Sequence, residues 1–149
     1  MWFSRKQVEK VLPSAEQPNT NTVARTTTKK RGDAAEALAL AYLFGAGLKL
    51  VERNYRTPGR GGGEIDLIMR DKDGTLVFIE VRQRSSQSHG GAGASIGAVK
   101  QRRIIFAARH YLMRLASAPP CRFDVVLVQG GPDSTNAASI EWLRSAFDA

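Results

Sequence analysis

One cysteine in 149 residues, Cys121, rules out an internal disulfide and any zinc site built on several thiolates, and it fits a reducing compartment. His89 and His110 stand at no ligand spacing to each other or to Cys121, so zinc is not expected. No apolar run approaches the roughly 18 residues that cross a bilayer, and the start at Met1-Trp2-Phe3-Ser4-Arg5-Lys6 lacks the long apolar stretch of a secretory signal. The expected compartment is the cytoplasm. No GxGxxG or GxxxxGK[ST] pattern follows a strand and opens a helix, and no GxSxG stands behind His89-Gly90-Gly91. Glycine-loop nucleotide binding and serine acyl transfer are both disfavoured.

Acids are missing from one long stretch. Val81 through Phe123 holds eight basic residues (Arg82, Arg84, Lys100, Arg102, Arg103, Arg109, Arg114, Arg122) and no Asp or Glu, and residues 1–31 add seven basic residues against two acids. The net charge of +8 is therefore concentrated in two blocks. Such a surface suits a polyanion, because Lys and Arg that neutralise phosphates release counterions. An anionic membrane would attract the same charge, but no amphipathic helix with a bulky apolar face accompanies it. Solubility alone also explains a basic balance. Nucleic acid is the favoured partner.

Acids are present where apolar residues are expected. Glu64, Asp66 and Ile68 alternate with Ile65, Leu67 and Met69, and Phe78, Glu80 and Arg82 share one face of a second run. Asp71-Lys72-Asp73-Gly74 between them predicts a hairpin turn, which sets Asp66 roughly opposite Glu80 with Cβ atoms about 5 Å apart. Two readings fit: the acids line the wet face of an antiparallel sheet, or they are buried together and need raised pKa values or a cation between them. Arg82 serves either reading, as a structural counter-ion or as a phosphate contact.

Residues 1–28 mix Ser, Thr, Pro, Gln and Asn without periodicity and are expected to form a mobile basic tail, with a single domain over 29–149. A helix is expected from Lys29 to about Gly45. On it Glu36 lies on a stripe with Leu40 and Leu43, either as an inward carboxylate or as a rim acid near the helix start. Leu48 to Arg56 reads as a strand and Thr57 to Gly63 as a Pro- and Gly-rich loop that could let a backbone pass close. A second helix is expected over about 96–116, with Lys100, Arg103, Ala107, His110 and Arg114 along a face suited to phosphates and Ile104, Ile105, Ala108, Leu112 and Leu115 along another. Phe123 to Val128 reads as a doubly covered strand broken by Asp124, and Ile140 to Phe147 as a strand or helix anchored by Trp142 and Phe147.

An acid on the first helix, an acid on one hairpin strand and Glu-x-basic on the next resemble the PD-(D/E)xK core of restriction-endonuclease-like folds. From about Lys29 onward the chain resembles the YraN-like family of proposed endonucleases. The matching blocks are Gly32 to Glu36, Asn54-Tyr55-Arg56, Gly63-Glu64-Ile65-Asp66-Leu67-Ile68, Phe78-Ile79-Glu80-Val81-Arg82, Lys100-Gln101 and Arg122-Phe123-Asp124. The resemblance implies an α/β fold, a mixed sheet of four to five strands flanked by helices, like the Holliday-junction resolvases. It implies Mg²⁺ or Mn²⁺ held by Asp66, Glu80 and the Val81 carbonyl, with Glu36 as an auxiliary, Glu64 near the same water shell, and Arg82 beside the reacting phosphate. Arg56, Arg84, Lys100 and Arg103 are the expected nucleic-acid contacts, and twofold dimers are common among resolvase-like nucleases. Two departures stand out. The usual motif has lysine where this chain has Arg82, which stays charged and cannot act as a base. The Thr57 to Gly63 loop is a few residues longer than a compact approach needs. The expected function is a metal-dependent endonuclease, with two alternatives kept: a non-catalytic nucleic-acid-binding module on the same scaffold, and a small scaffold protein for acidic partners.

Overall fold

The computed structural model describes residues 20–84, 96–130 and 137–149. Residues 1–19, most of the expected tail, and the His89-containing loop fall outside that set. The elements run α1 (Thr20–Gly45), β1 (Lys49–Arg56), β2 (Glu64–Arg70), β3 (Leu76–Arg84), α2 (Ala98–Leu112), β4 (Cys121–Gln129) and β5 (Ser139–Phe147). Helix α1 begins nine residues ahead of the expected Lys29, inside the segment read as tail. Residues 20–28 carry no apolar periodicity, the signal by which a helix is read from sequence. The helix ends where Gly47 takes φ +95°, and the Gly47 and Leu48 N–H groups donate back to the Phe44 and Leu43 carbonyls.

The fold is α/β, as expected: one mixed sheet of five strands in the order β1-β2-β3-β4-β5, with a helix on each face, consistent with a restriction-endonuclease-like core. Only β3 and β4 run parallel, joined through α2, while every other neighbouring pair is antiparallel. Alternation along β3 separates two cores. Val77 and Ile79 pack with Ala35, Ala39 and Leu43 of α1, whereas Leu76 and Phe78 pack with Ile104, Ala107, Ala108 and Tyr111 of α2. The β2–β3 turn has Gly74 at φ +89° and Asp71 N–H bonded to the Thr75 carbonyl, the hairpin expected from the sequence.

Strand β2 does not keep the expected alternation. Its ladder with β1 runs from Arg53↔Leu67 to Tyr55↔Ile65, and the step between, where Asn54 takes φ +51°, drops out. That kink carries Ile65 and Tyr55 to the α2 side with Ile68, instead of leaving Ile65 with Leu67 and Met69 on the α1 side. Asp66 sits at the switch.

On β4, opposite Ile79, Asp124 is fully buried yet well bonded. It accepts from Arg122 Nε, from Trp142 Nε1 at 2.9 Å and from the Ser145 N–H at 3.0 Å, while Arg122 also reaches Asp71 at 2.8 Å. Ser145, at φ +50°, turns its N–H into the carboxylate where the β4–β5 register shifts. The Arg122-Phe123-Asp124 block is thus a lock between β4, β5 and the β2–β3 turn, and Trp142 and Phe147 anchor β5 as expected.

The loop between β1 and β2 is clamped at its ends. Thr57 N–H donates to the Gly63 carbonyl, and Gly63 N–H donates to Thr57 Oγ1 at 2.7 Å. Gly63 also lies directly under α2: a Cβ there would stand 1.9 Å from the Arg103 carbonyl oxygen and 3.0 Å from Ala107 Cβ. Gly63→Ala is expected to push α2 off the sheet and cost about 1–3 kcal/mol, a drop of roughly 2–10 °C in Tm for a chain of this size. Gly32→Ala, in an exposed turn of α1 with open space around it, is expected to raise stability by up to about 1 kcal/mol. Paired thermal melts check both.

Candidate functional site

Continuing the Leu67↔Ile79 register by one step places Asp66 opposite Glu80. Backbone pairing stops there because a side chain takes over: Asp66 Oδ2 accepts the Val81 N–H at 2.8 Å. The N–H and C=O of one strand residue point to the same side, so the Val81 carbonyl faces β2 as well. Glu80 is only 7 % exposed. Lys100, in the first turn of α2, reaches Glu80 Oε1 at 3.3 Å, and Glu80 Oε2 is buried with no donor against it.

Two acids this close and this dry cannot both ionise freely. Burial, then the neighbouring Asp66, pushes the Glu80 carboxyl up to about 8, against the pull of Lys100. Burial also raises Asp66, opposed by the Val81 N–H, by a proton shared from Glu80, and by Lys100. Glu36 is half-buried beside the α1 stripe of Ala35, Ala39 and Leu43, rather than on it. Its carboxyl is raised by burial first, then by the fields of Asp66 and Asp33, while Arg53 acts the other way.

The sheet therefore brings Asp66, Glu80 and Lys100 together, with Glu36 near enough for Asp66 to raise its pKa. Glu64 is half-exposed and paired with Arg56 at 3.2 Å, on the rim. Arg82 is exposed two residues beyond Glu80, and Arg84 is half-buried at the end of β3. The basic face expected on α2 is exposed at Lys100, Arg103 and Arg114, while its middle meets the sheet. Ala107 is buried against the sheet, His110 Nδ1 bonds the Tyr55 hydroxyl, and Arg114 pairs with Glu52 over the Tyr55 and Tyr111 rings. That side of the helix faces β1 and β2, because the small pair Gly63 and Ala107 draws it in. The side chains of Lys100, Arg102, Arg103 and Arg109 are the exposed basic ones on this helix.

The sequence reading missed Asp33 and Arg53 as neighbours of Glu36, although Asp33 lies one helical turn before it. It also gave Lys100 a phosphate where the structure gives it Glu80. The acid-free surroundings of Lys100 disguised its partner, which comes from another element. Among the described residues, no three His, Cys, Asp or Glu side chains converge into a ready-made metal cluster. The donor set for a hard divalent ion is narrower: two carboxylates from facing strands, one of them with a bare buried Oε2, and a backbone carbonyl directed toward them, all oxygen donors. These residues fit such an ion, with water filling the remaining positions.

The raised carboxyl has a consequence for stability. Unfolded, Glu80 titrates near 4.5, and folded near 8, so between these values the folded protein holds a proton that the unfolded chain has lost. Ion-free protein is expected to lose stability as pH rises through that window and to level off above it. Thermal melts in EDTA across the window check this. Glu80→Gln, which cannot titrate, should flatten the profile.

The match to known proteins covers most of the chain. The model of "Uncharacterised protein family UPF0102" matches residues 35–128. The chain is 69% identical over 153 aligned residues to a UPF0102 protein of Polaromonas naphthalenivorans, covering 100% of this chain and 99% of that one. It is 66% identical to a UPF0102 protein of Paracidovorax citrulli across 84% of this chain and 87% of the relative. A UPF0102 protein of Cupriavidus pinatubonensis is 56% identical over 83% of this chain and 90% of its own length. With the hairpin acids, the Gly63 contact, β3 and all but the last residue of β4 inside the matched span, the chain belongs to the UPF0102 family, the one its sequence resembles under the name YraN-like.

Proposed function

We propose that this protein is a metal-dependent endonuclease that hydrolyses phosphodiester bonds in nucleic acid, with DNA favoured and branched DNA among its substrates. One observation carries the reading: two carboxylates on adjacent strands, Glu80 buried and Asp66 half-buried beside it, with Oε2 of Glu80 left bare. Natural sheets bury such a pair only at a cost of several kcal/mol unless a cation compensates it. A divalent ion held there by Asp66, Glu80 and the Val81 carbonyl would acidify water and neutralise phosphate charge. Glu36, its proton affinity raised, would hold a water on the α1 side. Arg82, always charged, would sit against phosphate oxygens as a clamp and not as a base. The exposed Arg102, Arg103 and Arg109, together with the basic N-terminal segment, would supply the wider attraction for the backbone.

A second reading is favoured by two specific observations. Arginine stands at position 82, and among the described residues no third carboxylate joins the pair. Both suit a binding module that keeps the scaffold without cutting.

Cleavage and calorimetry separate the two. The nuclease reading expects Mg²⁺- or Mn²⁺-dependent scission of duplex or four-way DNA that stops in EDTA and falls at least about a hundredfold in Asp66→Ala. Mn²⁺ binding should disappear in Asp66→Ala and in Glu80→Gln. Retained cleavage by Asp66→Ala at equal purity sinks it. Salt-sensitive gel shifts indifferent to EDTA, with no scission, would favour the binding module.

A further inference from the structure

Lys100 is an odd counter-ion. It stands in the first turn of α2, a turn with no acidic residue, where the positive end of the helix dipole disfavours a cation. Its ammonium touches only one oxygen of Glu80, at 3.3 Å, longer than the 2.7–2.9 Å or so of a firm charge-assisted bond. Half of its side chain is in solvent while Glu80 is almost wholly covered. The other Glu80 oxygen stays bare. A cation placed against its helix, held at one point by a flexible stem and open to water, is a cation that can leave.

Resting on the ion-binding reading of the Asp66 and Glu80 pair, we propose that Lys100 is a displaceable counter-ion. It covers Glu80 while no divalent ion is present and swings out to solvent when one enters. Repulsion between the ammonium and the arriving ion drives the exchange, and the freed amine then stands at the rim of the site, where a phosphate of bound nucleic acid would meet it. Lys100 thereby competes with the metal: it sets how much divalent ion is needed to open the acid pair. This positioning role differs from that of Arg82, which stands exposed two residues further along β3.

The test titrates Mn²⁺ calorimetrically into the full chain and its Lys100→Met, Lys100→Gln and Lys100→Arg variants, each checked for folding by circular dichroism. Lys100→Met and Lys100→Gln are expected to bind Mn²⁺ about tenfold more tightly than the parent, because the competing charge is gone. Lys100→Arg keeps the charge and is expected to bind no more tightly than the parent, which separates loss of charge from loss of the lysine itself. A lysine that merely props the site would give the opposite sign. Unchanged or weaker Mn²⁺ binding by both uncharged variants overturns the inference and leaves the ion-binding pair standing. Absence of Mn²⁺ binding from the parent and all variants overturns both.

Discussion

Like charges held out of water are the constraint around which this molecule is arranged. Strands β2 and β3 must lie side by side to complete the sheet, and their register sets two carboxyl groups facing each other. No rearrangement inside the hairpin relieves that, because slipping the register by one residue would turn every core side chain of β3 to the wrong face. Relief comes instead from a proton on Glu80, the Val81 N–H on Asp66, and the ammonium of Lys100 brought by α2. Sites that store such tension tend to be the places where a protein does its work.

The remaining architecture keeps that tension in place. Gly63 lets the backbone of α2 rest on the start of β2, and without that close approach Lys100 would not reach Glu80. The left-handed turn at Asn54 breaks the pleat opposite Asp66, freeing its carboxylate from the regular alternation so that groups from both faces can act on it. On the neighbouring strand, opposite Ile79, Asp124 shows how a buried acid is made harmless: Arg122, Trp142 and the Ser145 N–H leave it no unmet need. The contrast between a satisfied Asp124 and a partly satisfied Glu80 within one sheet is the strongest internal argument that Glu80 is kept for chemistry.

Much of this was legible in the sequence. Alternation and the Asp-Gly turn fix the hairpin, and with it the meeting of Asp66 and Glu80, since both depend only on local periodicity and turn chemistry. The continuous apolar run of β4 announces a strand covered on both sides, as the parallel pairing with β3 requires. The early start of α1 was hidden because residues 20–28 carry no apolar periodicity. Helical spacing says which residues of α2 share a face and not what that face touches: Ala107 and His110 meet the sheet, while Lys100, Arg103 and Arg114 of the same stripe stay exposed. The kink at Asn54 left no mark in the apolar pattern, because a left-handed residue inside a strand is a tertiary compromise.

The clamped loop between β1 and β2 has an evolutionary corollary. Its two ends are bonded to each other through Thr57 and Gly63, while Pro58, Gly59, Arg60 and Gly61 stand exposed at the tip. Lengthening or shortening that tip changes neither the strand register nor the seat of α2, and a longer flexible loop costs only slowly growing closure entropy. Relatives are thus free to vary in length at this one spot without altering the acids a few residues away. The same freedom makes it a natural place to graft a reporter or an affinity handle.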